Sequence, residues 1–156
     1  MLLSVIIPCY NEHAVLRATH ERLTAVLKAM NEDYELIFVD DGSRDTTARI
    51  GAEIAREDPR VRFVKFRRNY GQTPAMAAGI EHARGEVLVT MDGDLQNDPA
   101  DVGILLAKIH EGYDILVALI LHVMPAGHAV RLQDFVTAGG HPGRKSAPTP
   151  RASTST

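Results

Sequence analysis

The sequence predicts an α/β fold, a mainly parallel sheet with helices on both faces, followed by an irregular C-terminal tail. Three observations predict it. Apolar runs and segments of helical period alternate through the first 118 residues with short connections, a pattern that calls for a parallel sheet covered on both sides. The apolar runs are continuous rather than alternating, as in strands buried on both faces. Acids, glycines and arginines gather just after those runs, where sheets of this kind bind ligands beyond the carboxyl ends of their strands.

The elements follow in order. Leu3–Ile7 is a continuous apolar run closed by Pro8 and predicts the first strand. From Glu12 to Met30 the apolar positions Ala14, Val15, Ala18, Leu23, Val26, Leu27 and Met30 keep near-helical spacing. Tyr34–Val39 is a second strand, and Arg44–Arg56 a second helix capped by Ser43 or Asp45. Val61–Phe66 is a third strand and the Ala-rich Gln72–Ala83 a third helix. Glu86–Met91 is a fourth strand, and Pro99–His110 a helix opened by a proline whose missing N–H is harmless there. Tyr113–Val117 reads as a fifth strand. After Ala118 no period is sustained, and the last eighteen residues are mostly Gly, Pro, Ser, Thr, Ala and basic, a disordered composition. The chain therefore divides into a domain over 1–118 and a tail over 119–156.

Composition narrows the function. The formal net charge of -3 argues against nucleic-acid binding. It hides an asymmetry: the tail carries four basic residues and one acid, the body 13 basic and 19 acidic. The tail's charge would permit weak attraction to an anionic lipid surface. A single cysteine, Cys9, excludes an intrachain disulfide and fits a reducing compartment; at the end of an apolar run it reads as a small packed side chain. MLLSVIIPCYNE lacks a basic leader and reads as a strand, and no apolar stretch reaches the ~18 residues a membrane span needs.

The chemistry sits at the strand ends: PCYNE (Pro8–Glu12), DDGS (Asp40–Ser43), RRNYGQ (Arg67–Gln72) and DGDLQ (Asp92–Gln96). Asp92 and Asp94 repel one another when ionised, so a partner cation is expected; hard carboxylate oxygens suit Mg²⁺ or Mn²⁺, which can also grip phosphate oxygens. Gly93 lets the backbone turn and a ligand approach, and Gln96 could add a neutral oxygen. Solvated acids in a polar turn are the bland alternative; their place after a buried strand favours the site. Asp40 and Asp41 could accept an N–H of a nucleobase, with Tyr10 stacking on base or ribose. Asn69, Gly71 and Gln72 open a helix whose N-terminus favours an anion, with Arg67 and Arg68 adding charge, although such a pair is commonly just solvated surface. No GxxxxGK[ST] loop, GxGxxG fingerprint or GxSxG elbow is present, and the seven histidines lack metal-ligand spacing. A receiver-like signalling domain would need an aspartate after its third strand, where Phe66-Arg67-Arg68 stands.

LSVIIPCYNE, LIFVDDGSRDTT, RRNYGQTPAMAAGI and ARGEVLVTMDGDLQNDP, in this order and spacing, resemble glycosyltransferase family 2 over Leu3 to about Val117. DLQNDP is most similar to the branch with dolichol-phosphate mannose synthase and the bacterial polyprenyl-phosphate glycosyltransferases. The resemblance implies a Rossmann-like GT-A nucleotide-sugar-binding half, a nucleotide-diphospho-sugar donor, Mg²⁺ or Mn²⁺, and an inverting displacement with a lipid phosphate as acceptor. By motif matching it implies that Pro8, Tyr10, Asn11, Glu12, Val39 and Asp41 line the nucleotide pocket with Asn69, Gly71 and Gln72. Asp92 and Asp94, the catalytic pair, would surround the metal and diphosphate with Gly93 and Gln96. It further implies a cytoplasmic protein at the inner face of the membrane, with peripheral membrane association. Family members continue beyond the fifth strand with an acceptor site, whereas resemblance stops within GYDILVALILHV, which reads as a truncation or frame shift after about residue 118. A non-catalytic nucleotide-sugar-binding fragment is the alternative expectation.

Overall fold

Continuous apolar runs become the inner strands of one sheet. The computed structural model describes residues 1–94, 98–111, 116–118 and 121–125. Its strands are β1 (Leu2–Cys9), β2 (Asp33–Asp40), β3 (Val61–Lys65), β4 (Val87–Met91), β5 (Leu116–Ala118) and β6 (Leu121–Pro125). Its helices are α1 (Leu16–Ala29), α2 (Thr47–Glu57), α3 (Gln72–His82) and α4 (Asp101–His110). Among the described residues the sheet order is β3-β2-β1-β4-β6-β5. β1 pairs in parallel with both β2 and β4, and β2 in parallel with β3. The chain thus winds outward from β1 to β3 and returns to β4 on β1's other side. The two halves part at β1 and β4, the point where such sheets open a crevice at their carboxyl ends.

The two faces of β1 separate by residue parity, as strand geometry demands. Leu3, Val5 and Ile7 join Leu36, Phe38 and Val89 under Leu16, Leu23 and Leu27 of α1, Ile54 of α2, and Val102 and Leu106 of α4. Ile6 joins Ile37, Val39 and Leu88 beneath Ala75 of α3. Helices therefore cover both faces, as expected. α3 lies close because Gly79 leaves room: a Cβ there would fall 2.2 Å from Ile6 Cγ2.

Most boundaries shift by a residue or two, α4 for instance starting at Asp101 and not at Pro99, and three differences from the sequence reading stand out. α1 starts at Leu16 rather than Glu12 because the preceding residues are held by another loop: Asn11 N–H donates to Ser43 Oγ (2.9 Å) and Glu12 N–H to Thr47 Oγ1 (2.8 Å). α2 starts at Thr47, whose N–H donates to Asp45 Oδ1 at 2.8 Å, so Asp45 supplies the capping oxygen. The third difference is at the far edge. The stretch read as irregular from residue 119 contains β6, which runs antiparallel to β4 and to β5. Two apolar residues, Leu119 and Ile120, separate β5 from β6, so no turn residue marks the reversal. Tyr113–Ile115, Gln96 and 126–156 lie outside the described residues.

Candidate functional site at the carboxyl edge of the sheet

A cleft of about 360 Å³ opens at this edge, within the size range of small-molecule sites. It is lined by Pro8 and Cys9 at the end of β1, Tyr10 and Glu12 after it, Asp41 after β2, Asn69, Gly71 and Gln72 at the start of α3, and Asp92, Gly93 and Asp94 after β4. Segments up to 86 residues apart in sequence meet here because parallel strands bring all their carboxyl ends to one side.

Asp41 organises the wall between β2 and α3. It is 5% exposed and accepts three hydrogen bonds: from Tyr70 N–H (2.7 Å), Gly71 N–H (2.9 Å) and Asn69 Nδ2 (3.0 Å). Of the groups at the start of α3, the Asn69 side-chain amide and the Gly71 N–H are thus taken by Asp41. Gly42, with φ +71°, packs beneath this loop, where a Cβ would lie 2.2 Å from the Arg68 carbonyl carbon. Asp40 does not join the cleft. Fully buried, it accepts the Ser43 N–H (3.1 Å) and Ser43 hydroxyl at Oδ1, while its Oδ2 has no hydrogen-bond partner.

Two further expected residues stand elsewhere. Val39 is 0% exposed and packs in the core under α3, as its strand parity requires. Asn11, at φ 53°, accepts the Arg44 N–H at Oδ1 (2.9 Å) and ties the loop after β1 to the loop after β2. Arg67 and Arg68 are exposed and line no part of the cleft; the Arg68 guanidinium lies 4.8 Å from the Tyr70 ring centre, over its face. Gln96 lies outside the described residues.

The acidic end lies between α1, α3 and β4. Gln72 Nε2 donates to Asp92 Oδ1 at 2.9 Å. Thr19 Oγ1, buried on α1, donates to the Gly93 carbonyl at 3.0 Å. Gly93 is closely packed: a Cβ there would sit 3.2 Å from Ile7 Cγ2 and 3.3 Å from the Pro8 carbonyl oxygen, a tight approach. Burial and then the charges of Asp94 and Asp45 push the Glu12 carboxyl above its usual range. Cys9 is buried, with Sγ near the Val39 carbonyl oxygen, and burial, then Asp40 and Glu12, push its thiol far above its ordinary value, as for a packed side chain. Beyond the rim, His13 Nδ1 lies 2.6 Å from Asp45 Oδ2. Although burial raises the Asp45 carboxyl, hydrogen bonds from Thr47 and His13 outweigh it and bring it to about 2.

Among the described residues no three His, Cys, Asp or Glu side chains form a preorganised metal cage. The donors nevertheless fit a hard dication in the way Mg²⁺ is commonly held, by one or two carboxylates with substrate phosphates completing the shell. Asp92 and Asp94 share the cleft with Glu12, whose carboxyl is raised first by burial and then by the charges of Asp94 and Asp45.

Thr19 and Thr47 escaped the sequence reading, and Ser43 was read there only as a helix cap or turn residue. Each acts through a tertiary hydrogen bond, and a hydroxyl at helical spacing carries no sign of such a partner.

A family model described as Glycosyl transferase family 2 matches residues 4–151. The undecaprenyl-phosphate 4-deoxy-4-formamido-L-arabinose transferase of Shewanella sediminis (strain HAW-EB3) is 46% identical over 112 residues, covering 71% of this chain and 34% of that protein. An uncharacterized glycosyltransferase of Bacillus subtilis (strain 168), YkcC, is 40% identical over 116 residues, 74% of this chain and 36% of its own. The chain thus spans about a third of the length of the curated relatives it matches. Among solved structures, S. aureus TarS 1–349 in complex with UDP superposes with a TM-score of 0.58 at 25% identity, covering 75% of this chain and 35% of that one. The mannosyltransferase PcManGT from Pyrobaculum calidifontis, in complex with GDP-Man and Mn²⁺, gives 0.51 at 25% identity, covering 59% and 27%.

Proposed function

The chain belongs to glycosyltransferase family 2, and from that premise we propose that its cleft binds a nucleotide-diphospho-sugar, as the donor half of an enzyme that glycosylates a polyprenyl phosphate. The observation that carries this reading is the convergence of Tyr10, Glu12, Asp41, Asp92 and Asp94 on one cleft at the strand-order switch. The arabinose transferase supports the acceptor class, since its name states undecaprenyl phosphate, and the neighbours crystallised with UDP and with GDP-Man and Mn²⁺ support donor and metal.

Asp92 and Asp94 would hold Mg²⁺ or Mn²⁺, with Gln96 beside them; the ion's chemistry there is to neutralise charge on the departing diphosphate. Tyr10, 40% exposed on the cleft wall, offers a ring face to the base or ribose. The Asp41-anchored loop fixes the wall opposite it. A lipid phosphate reaches the anomeric carbon already anionic, so these residues have no nucleophile to deprotonate; their work is alignment and charge stabilisation. Donor binding is assigned to this chain and transfer to the whole protein, since the relatives are about three times as long. No helix among the described residues is long and apolar enough to cross a membrane. Work at the inner face of the cell membrane is part of the proposal.

Calorimetry with UDP and GDP tests the reading. Mn²⁺ should strengthen binding, and Asp94→Ala should remove most of that gain, about tenfold or more for a lost charged contact. Equal affinity with Mn²⁺ and with a chelator would refute the site.

A further inference from the structure

We propose that Gln72 is a positioning residue for Asp92, and that it couples the Asp41-anchored loop to the acidic end of the cleft. The proposal rests on the reading of Asp92 as a group that faces the cation and diphosphate.

Three observations carry it. Gln72 opens α3 directly after Gly71, whose φ of +102° makes the turn. The backbone before it is fixed by Asp41, which takes the Tyr70 and Gly71 N–H groups and the Asn69 amide, and by Gly42 packed beneath Arg68 and Asn69. From that fixed point the side chain reaches Asp92 Oδ1, with Nε2 at 2.9 Å. Asp41 follows β2 and Asp92 follows β4, strands that flank β1 on opposite sides. The Gln72–Asp92 hydrogen bond therefore links the loop anchored by Asp41, after β2, to the turn after β4.

The residue type suits the task. A carboxylate only accepts, so the amide nitrogen must face Asp92. The amide restrains the carboxylate's rotamer and leaves its negative charge intact. A lysine or arginine in its place would cancel the charge that a dication needs. An aliphatic side chain would remove this one restraint on the carboxylate, and the ordering it supplies would then weigh against cation binding.

The test is calorimetry of the full chain with GDP and with UDP, each in chelator and in Mn²⁺, alongside thermal melting without ligand. Gln72→Leu and Gln72→Met remove the donor at similar size from an exposed position. Both should lose about tenfold of the Mn²⁺-dependent gain, more than they lose in metal-free nucleotide affinity. Thr73→Ala, at the next exposed position, should keep both quantities. A merely structural role would lower the melting temperature and weaken metal-free binding together. An unchanged or larger Mn²⁺ gain in folded Gln72→Leu and Gln72→Met overturns the coupling while leaving the cleft's assignment standing. Absence of any Mn²⁺ gain in the wild-type chain overturns both.

Discussion

Asp41 shows how a residue can be placed correctly from sequence and still do something the sequence does not state. Its position after a buried strand points to the cleft, and it lines the cleft. Its oxygens, however, are engaged by the loop before α3. Those partners lie 28 to 30 residues away and belong to no motif of Asp41's own. Asp41→Asn tests the anchor. The amide keeps the shape but replaces one acceptor oxygen with a donor that faces donors, at a cost of about 1–3 kcal/mol. Gly42→Ala attacks the same loop from below, through both the positive φ and the collision with Arg68, and should cost at least as much. Urea melts read the stability, and nucleotide binding should fall with it. Wild-type midpoints in both variants would show that the loop does not depend on Asp41.

At the scale of elements, strands β1 to β4 and the four helices were legible because each rests on a period that a run of five or more residues can display. The start of α1 was not, since hydroxyls of Ser43 and Thr47 hold the residues before it. Nor was β6, whose reversal out of β5 carries no glycine, proline or asparagine in the two intervening residues. The site followed the same division. Glu12, Asp92 and Asp94 were legible as acids at strand ends, whereas the inward turn of Asp40 and the burial of Val39 depend on which face of β2 each occupies.

The opposite ends of the strands hold a network that motif reading passed over. Glu35 on β2, 2% exposed, accepts Ser4 Oγ from β1 (2.6 Å), and the backbone N–H (2.7 Å) and guanidinium of Arg84 before β4. Ser4 Oγ also accepts the Gly85 N–H at 2.8 Å. Burial alone raises the Glu35 carboxyl, but the bonds from Ser4 and Arg84 together bring it below the ordinary 4.5. A carboxyl lowered on folding contributes stability that is complete above pH 4.5 and is lost as the pH falls through its folded value. Glu35→Gln, which cannot titrate, should therefore be less stable than wild type at neutral pH by about 1–3 kcal/mol. The difference should narrow steadily below about pH 4.5. Denaturant midpoints across that range check it; parallel curves would mean that Glu35 is not held ionised by its partners.

On the scale of the whole molecule, the cleft and the Glu35 network sit at opposite ends of the same strands, and that separation makes a prediction neither end makes alone. A ligand in the cleft touches groups following β1, β2 and β4 and the start of α3, so it binds only when the sheet is assembled. Nucleotide with Mn²⁺ at about a hundred times its dissociation constant should add about 2.7 kcal/mol to folding. For a chain of this size that corresponds to roughly 5–11 °C in Tm. Glu35→Gln lowers the starting Tm from a distance and shares no partner with the cleft, so the ligand-induced rise should be the same in the variant as in wild type. Asp41→Asn, by contrast, loosens a cleft wall and should lower both the starting Tm and the rise. Two melting curves per variant, with and without ligand, separate the cases. Equal rises in all three proteins would place the binding determinants away from Asp41, and a reduced rise in Glu35→Gln would show that the two ends of the sheet are coupled through the strands between them.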